Sequence, residues 1–252
     1  MFDYLFRPSS VGKLMTEPKT KSEGPLSVGA KTYLRELAAQ EIFSVDFEVS
    51  SKEMDKGIRC EQDSIDLLNR VRGLSLIKNT ERRRDDFLTG ECDLFDAQRR
   101  RGHDLKTSWS LKTFPISSVD CVDKLYEWQM VAYMRLWDAG EWEVNYAMVD
   151  TPEDLIRFEP MPMHIVSHLP PEHRITTWVI QRDMEKESAM LEKIKHAREY
   201  MAQVIREFDR THRASEVVDM ETGEITTRTA PAQQITPPTA PVAKLALEEI
   251  DF

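Results

Sequence analysis

The sequence has few cysteines and no long apolar run. Only three of its 252 residues are cysteine, and Cys60, Cys92 and Cys121 form no CxxC pair. This spacing indicates neither a zinc ribbon nor a disulfide framework. No stretch reaches the ~20 apolar residues that a membrane helix needs, and residues 1–14 lack the apolar segment and cleavage site of a signal peptide. We therefore expect a soluble protein of the cytoplasm.

Positive charge is also scarce. The formal net charge is -10, which argues against a nucleic-acid partner, because phosphate binding normally relies on Lys and Arg. The two bases and seven acids of residues 214–252 leave -5 there, however, so half of the acidity lies outside the preceding region. Arginines cluster at 82–84 and 99–101. A local field can thus favour DNA although the total charge does not.

The length and the hydrophobic content of 40% allow one sizeable domain with appendages. We assign that domain to residues 1–213, with residues 1–26, which hold three prolines, as a mostly irregular N-terminal arm. Beyond residue 213, proline, threonine and alanine dominate, which predicts a disordered, acidic, proline-rich tail at 214–252.

Hydrophobic periodicity indicates alternating helices and strands. The predicted helices are 31–43, 53–72, 120–139 and 185–212. The predicted strands are 74–78, 87–97, 103–109, 142–148 and 175–180, and residues 151–172 form a long loop. The segments 87–97 and 103–109 flank a polar loop that contains glycine, which is typical of a hairpin. The order of elements predicts an α/β fold.

A carboxylate interrupts the apolar row of the helix at 53–72. The row runs through Met54, Ile58, Glu61, Ile65 and Leu68 at steps of three and four. Burying a charge is costly unless a cation or a hydrogen-bond network compensates it. Glu61 is therefore a candidate site residue, and the alternative is a slightly rotated helix that leaves Glu61 in solvent.

The predicted hairpin carries two aspartates and a lysine. Alternation places Asp93 on the face of Phe87 and Phe95, and it places Asp104 and Lys106 on one face of the second strand. Two carboxylates and an ammonium can thus converge on one spot. An Asp-Leu-Lys triplet alone is weak evidence, since such triplets are common on solvent-facing strands.

The third helix repeats the anomaly with an amide. Gln129 lies in the apolar row, with Tyr133 one turn further on the same side. Gln129 alone can be explained by a hydrogen bond to neighbouring backbone. One shared site, however, would explain the polar groups of all the elements together. Its carboxylate oxygens suit a hard cation such as Mg²⁺ or Mn²⁺.

Four motifs occur in an order that resembles the PD-(D/E)XK nuclease superfamily, and within it the phage lambda exonuclease and YqaJ-like viral recombinase group. They are GIRCE at 57–61, GECD at 90–93, DLK at 104–106 and QMVAY at 129–133. Asp93 lacks the family's preceding proline, and the second acid is Asp104 rather than Glu. The resemblance covers roughly residues 5–210. It implies a restriction-endonuclease-like core, a central mixed sheet flanked by helices, with a long C-terminal helix.

The resemblance also implies a metal-dependent deoxyribonuclease acting on duplex ends. Lys106 would position or help to deprotonate a water, and Gln129 would orient the nucleophile or a DNA phosphate. The metal would lower the pKa of that water and neutralise charge on the phosphate. The implied ligands of one or two Mg²⁺ or Mn²⁺ ions are Glu61, Asp93, Asp104 and the Leu105 carbonyl.

DNA contacts are implied in two places. The segment FRPSSVGKL at 6–14 is similar to the N-terminal part of lambda-type exonucleases, where an arginine followed by small residues binds a 5′ phosphate. Arg7 and Ser9 or Ser10 are therefore candidate anchors, and Tyr133 of the QxxxY motif is a further candidate for DNA binding. Cleavage from 5′ to 3′ and a toroidal trimer rest on the same resemblance.

Other functions remain open from the sequence. An endonuclease or a flap-processing nuclease would have the same fold, and a covalently closed circle separates these from an exonuclease. An inactive DNA-binding or adaptor protein would release no nucleotide with metal. Residues 247–252 resemble the acidic, Phe-ending tip of bacterial single-strand DNA-binding proteins, which docks partners, although an arbitrary tail end is the other explanation. A single-strand annealing or single-strand-binding protein is thus a candidate partner.

Overall fold

A computed structural model describes residues 3–47, 50–212, 216–218 and 225–227. The chain divides into two compact units, Met1–Ile205 and Arg206–Phe252. The first unit holds nearly all of the regular structure. In the second unit, Glu216–Val218 pairs antiparallel with Ile225–Thr227, within the segment for which the sequence predicts a disordered tail. The rest of that predicted tail lies outside the described residues.

The described elements alternate between helices and strands, as expected for an α/β fold. The helices are α1 (Pro8–Leu14), α2 (Val28–Phe43), α3 (Lys52–Arg59), α4 (Glu61–Arg72), α5 (Lys124–Trp137), α6 (Glu153–Ile156) and α7 (Met184–His212). The strands are β1 (Arg82–Arg84), β2 (Thr89–Glu91), β3 (Leu94–Asp96), β4 (Arg101–Thr107), β5 (Glu141–Ala147), β6 (Ile175–Gln181), β7 (Glu216–Val218) and β8 (Ile225–Thr227).

The central sheet has four strands in the order β3-β4-β5-β6. Strands β4 and β5 are parallel, with Asp104 opposite Val144, whereas the two outer pairings are antiparallel. Helix α5 connects the parallel pair, and β3 and β4 form the predicted hairpin. The mixed α/β architecture and the long C-terminal helix are therefore confirmed.

Helix α5 lies across the core beside this sheet. It is capped by Asp123, whose carboxylate accepts hydrogen bonds from the Leu125 N–H (2.6 Å) and the Tyr126 N–H (3.3 Å). Such a cap satisfies free N–H groups of the first turn. The Tyr133 ring stacks on the indole of Trp142 of β5, with ring centroids 5.2 Å apart. Because these rings fill the space between helix and sheet, one face of α5 is fixed toward β4.

Gly102 of β4 leaves room for this aromatic packing. A Cβ at residue 102 would overlap the Trp142 indole ring. We therefore expect Gly102→Ala to lower the free energy of unfolding by about 1–3 kcal/mol, the usual cost of overpacking a core. Gly140→Ala is the matched control, because nothing lies within 4 Å of its added Cβ. Equal urea midpoints for the two variants would contradict this packing role.

The predicted helix at 53–72 is two helices in the structure. Cys60, with φ -107° and ψ 16°, ends α3, and α4 begins at Glu61. The change of axis turns Met54 and Ile58 outward, with 54% and 68% of their surface exposed. The continuous apolar row was therefore wrong, and Glu61 owes its position to the first turn of α4. Helix α4 ends at Gly73, which adopts the left-handed conformation, as predicted.

The N-terminal arm, predicted as mostly irregular over residues 1–26, contains a short helix and packs into the core. Residues Pro8–Leu14 form α1, and Phe6, Val11 and Leu14 are fully buried in the main core. Phe6 bridges to Leu88, and Gly12 lies against the backbone of Leu125 in α5. Three prolines suggested a loop, but Pro8 occupies the first helical turn, where it needs no N–H partner.

Smaller differences concern the strands. Residues 74–78 form no strand, and the extended segment 87–97 is split into β2 and β3 by a bend at residues 92–93. Strand β2 pairs antiparallel with β1. Strand β1 was not predicted, because its three residues are all arginine and give no apolar alternation. The long loop at 151–172 contains α6 and a 3₁₀ turn at Met161–Met163, and the strand predicted at 175–180 is β6.

Two expectations from the amino-acid composition can be compared with the structure. Cys60, Cys92 and Cys121 are all buried and unpaired. Among the residues that the structure describes, no helix combines the length and apolar character needed to cross a membrane.

Candidate active site

Asp93 lies at the bend between β2 and β3. Its Oδ2 accepts a hydrogen bond from the Leu105 N–H at 2.7 Å. Burial and, after it, the nearby charge of Asp104 raise the pKa of Asp93 to about 7, against the lowering effects of the Leu105 N–H and the Lys106 ammonium. The bend before β3 thus holds a carboxyl group that resists ionisation in the absence of a cation.

Asp104 and Lys106 lie on the same face of β4, as the alternation of the strand predicts. The Lys106 Nζ is 2.8 Å from the Asp104 Oδ2, and it lies 4.3 Å from the centroid of the Tyr126 ring. Burial acts to lower the pKa of Lys106, but the attraction of Asp104 outweighs it and the net pKa is raised. Lys106 is therefore a fixed, positively charged group in this structure.

Gln129 joins this pair from α5. Its Nε2 donates a hydrogen bond to the Asp104 Oδ1 at 3.2 Å, so the amide in the apolar row does face the strand acids. One turn further on, the Tyr133 hydroxyl donates to the Glu91 carbonyl at 2.7 Å. The two side chains of the QMVAY motif thus bind neighbouring segments. The hydroxyl of Tyr133 fixes the strand that leads into Asp93.

Glu61 approaches from the start of α4. Its carboxylate forms an ion pair with the Lys78 ammonium. Its negative charge contributes to the raised pKa of Asp93, so the two carboxyl groups are electrostatic neighbours. The Leu105 side chain packs on the opposite side of β4, against the apolar cluster that includes Ile65 of α4.

The candidate anchors for a 5′ phosphate lie at the start of α1. Pro8 packs so closely on β2 that a Cβ at Gly90 would be 2.7 Å from its Cδ and 3.5 Å from the Tyr133 ring. Arg7 precedes this contact, is exposed and lies 3.9 Å from Asp46. The Ser10 hydroxyl donates to the Arg7 carbonyl at 2.8 Å, and Ser9 is exposed. The structure therefore brings the start of α1 beside Tyr133 and β2.

Most of the clustered arginines are paired with acids within the chain. Five of the six form ion pairs, namely Arg82 with Glu91, Arg83 with Glu81, Arg99 with Asp96, Arg100 with Asp138, and Arg101 with Glu141 and Glu143. Their positive charge is therefore largely compensated. The local positive field that the sequence suggested at 82–84 and 99–101 is therefore weaker than the number of arginines alone indicates.

The site residues fit a hard divalent cation. The Asp104 Oδ2 is buried, and the Lys106 ammonium lies 2.8 Å from it. Together with the hard-to-ionise Asp93, it offers oxygen donors whose repulsion a cation would relieve. Over the described part of the chain, no three acid, His or Cys side chains form a ready metal cluster. Glu61 is engaged by Lys78 and would have to change partner to contact a cation at this site.

Comparison of the whole fold with solved structures identifies relatives. A phage-related exonuclease from Haemophilus somnus 129PT is 34% identical, with a TM-score of 0.77, over 82% of this chain and 97% of that chain. The chain belongs to this exonuclease family. Phage-related exonucleases of this lambda-exonuclease-like and YqaJ-like type are PD-(D/E)XK nucleases, so the resemblance seen in the four motifs is confirmed.

A more distant relative shares the fold. The alkaline exonuclease LHK-Exo from Laribacter hongkongensis is 13% identical, with a TM-score of 0.62, over 82% of this chain and 92% of that chain. A second structure of LHK-Exo, in complex with dAMP, has a TM-score of 0.58 at 15% identity. No protein-family model and no curated protein matches the chain.

Two neighbours of the site in this exonuclease were missed from the sequence. Tyr126 stands three residues before Gln129, so the same helical periodicity that singled out Gln129 could have found it. Lys78 was assigned to a strand that does not form, and no periodic signal marks it. Its position depends on tertiary contacts of the linker between α4 and β1.

Proposed function

We propose that the protein is a metal-dependent exonuclease that hydrolyses phosphodiester bonds at the ends of duplex DNA, in phage-type recombination or DNA processing. The contact of Asp104 with both Lys106 and Gln129, beside the half-buried Asp93, is the observation that carries this proposal. Membership of the exonuclease family supports the reaction class, and the chemistry of the oxygen donors supports the metal.

The proposed ligands are Asp93, Asp104, Glu61 and the Leu105 carbonyl. A bound Mg²⁺ or Mn²⁺ would supply a water of lowered pKa and would stabilise negative charge on the phosphate. Lys106, fixed between Asp104 and the Tyr126 ring, would position the attacking water or help to deprotonate it, the latter once a cation at Asp104 weakens the attraction that keeps Lys106 protonated. Gln129 would keep the Asp104 carboxylate in its orientation. If the Gln129 amide left Asp104, its N–H group could donate to a DNA phosphate.

Contacts with the DNA end are proposed for the start of α1. Arg7 and Ser9 are exposed and Ser10 is half-buried, at the end of α1 that lies beside β2. Arg7, with Ser9 or Ser10, would bind a 5′ phosphate. Tyr133 would act in DNA binding by holding the strand that precedes Asp93. Cleavage from 5′ to 3′, a toroidal trimer, and a single-strand annealing or single-strand-binding partner remain proposals from the family resemblance. Residues 247–252, which would dock such a partner, lie outside the described residues.

Digestion of matched linear and covalently closed circular duplexes tests the activity. In Mg²⁺ we expect mononucleotides from the linear DNA and an intact circle, and we expect no release from either substrate with excess EDTA. An exonuclease needs an end, whereas an endonuclease converts the circle. Nicking of the circle at a comparable rate, or nucleotide release in EDTA, would contradict the proposal.

A further inference from the structure

Lys78 belongs to none of the helices or strands but contacts a proposed metal ligand. Its ammonium forms an ion pair with the Glu61 carboxylate. The Lys78 side chain is 53% exposed and that of Glu61 is 31% exposed. The pair thus lies at the border between the site and solvent, where either partner can be displaced by another ion.

The backbone on both sides of Lys78 is held in place. On one side, the Asn69 side chain of α4 donates to the Leu76 carbonyl at 2.8 Å and accepts from the Leu76 N–H at 3.0 Å. On the other side, the Asn79 N–H donates to the Asp93 carbonyl at 2.7 Å, and the Asn79 side chain donates to the Cys92 carbonyl at 3.2 Å. The linker is therefore tied to the helix that begins at Glu61 and to the bend that carries Asp93.

This double attachment distinguishes Lys78 from an ordinary surface lysine. An exposed ion pair between long side chains is usually worth little, because both must lose rotamer freedom to form it. Here four hydrogen bonds to the flanking residues fix where the lysine stem starts, so less freedom is lost on pairing. The consequence is an ammonium held at a carboxylate where a divalent cation is expected.

We infer that Lys78 is a positioning residue for the divalent cation. In the metal-free protein its ammonium keeps the Glu61 carboxylate at the site and competes with the cation for it. Because the ammonium and the cation repel each other at one carboxylate, the ion pair opens when the cation binds. This inference rests on the proposed metal dependence, and it concerns how tightly the cation is held before DNA arrives.

Binding of Mn²⁺ to the full-length protein without DNA tests the inference. Electron paramagnetic resonance reports free Mn²⁺, so the readout does not depend on activity. Lys78→Met keeps the stem and removes the charge, and we expect it to bind Mn²⁺ roughly threefold to tenfold more tightly than wild type, the scale of a partly screened charge pair. Lys78→Arg should restore wild-type affinity.

Two controls separate competition at Glu61 from a general loss of positive charge. Lys186→Met removes the partner of Glu127, an ion pair of similar exposure elsewhere, and should leave Mn²⁺ affinity unchanged. In a Glu61→Gln background, Lys78→Met should no longer tighten binding, because the contested carboxylate is gone. Unchanged or weaker binding by Lys78→Met alone overturns the inference. A wild-type protein that binds no Mn²⁺ overturns the proposed metal dependence, and the inference with it.

Discussion

Lys106→Met is expected to slow the degradation of end-labelled linear duplex by roughly 10²–10⁴-fold in Mg²⁺, the usual contribution of a positioned proton-transfer group. The Lys106 ammonium is 2.8 Å from the Asp104 Oδ2 and faces the Tyr126 ring, so the methionine stem fits while the charge and its protons are lost. Single-turnover digestion at saturating enzyme measures the effect on the chemical step itself.

DNA binding should survive this substitution. In Ca²⁺, or in EDTA, we expect the dissociation constant of Lys106→Met for a linear duplex to stay within a few-fold of wild type. Lys195→Met is the control for loss of one positive charge, because Lys195 pairs with Glu192 on α7. Robust cleavage by Lys106→Met would refute the assigned role. Parallel losses of binding and cleavage would instead indicate a contact to DNA.

The polar residues of the site could be located from the sequence because each broke a pattern. Gln129 stands in an apolar helical row, and Asp104 and Lys106 share one face of a strand. The structure brings these three together. Periodicity is a strictly local property, so it identifies such residues wherever the element is regular over several turns or alternations.

Glu61 and Lys78 show where local patterns stop being informative. The row through Met54 and Ile58 seemed to continue to Glu61, but the chain changes direction at Cys60, so the two halves bury different faces. Such a break depends on how α4 packs on β4 and β5, which no window of the sequence contains. Lys78 is positioned by hydrogen bonds from Asn69 and Asn79, and these too are tertiary contacts.

The N-terminal segment shows that proline content alone does not predict how a segment packs. Prolines at 8, 18 and 25 predicted an irregular arm, yet Phe6 and Leu14 are completely buried. Proline is compatible with the first turn of a helix, and the Gly12 backbone fits directly against α5. The arm is thus part of the core. This packing gives Arg7 a defined position beside β2, which a flexible arm would not.

The repulsion between the acidic groups of the site predicts that the site lowers the free energy of unfolding of the metal-free protein. Burial and the nearby charge of Asp104 raise the pKa of Asp93 to about 7 in the folded chain, against a value of 3.8 for the free group. Between these two values the folded state binds more protons than the unfolded state. Stability therefore falls as pH rises from about 4 to about 7, and the loss is complete above the folded pKa.

Asp93→Asn should therefore abolish nuclease activity and stabilise the metal-free protein. At pH 8–9 in EDTA we expect its free energy of unfolding to exceed that of wild type by on the order of 1–4 kcal/mol, since each unit of pKa shift is worth about 1.4 kcal/mol. The difference should shrink as pH falls and nearly vanish only below about pH 4, where the carboxyl is protonated in both the folded and the unfolded state. Urea denaturation at several pH values gives both quantities.

Asp96→Asn, three residues further along the chain, supplies the contrast. Its partner Arg99 lowers the pKa of Asp96, chiefly through a side-chain hydrogen bond, so ionised Asp96 stabilises the fold at neutral pH. Asp96→Asn should thus destabilise the protein at pH 8, opposite in sign to Asp93→Asn.

Saturating Mg²⁺ should stabilise wild type, because a ligand that binds only the folded state adds to its stability. The difference in free energy of unfolding between wild type and Asp93→Asn should then close or reverse. If Asp93→Asn is less stable than wild type at pH 8–9 without metal, the carboxyl groups do not repel each other as the structure indicates.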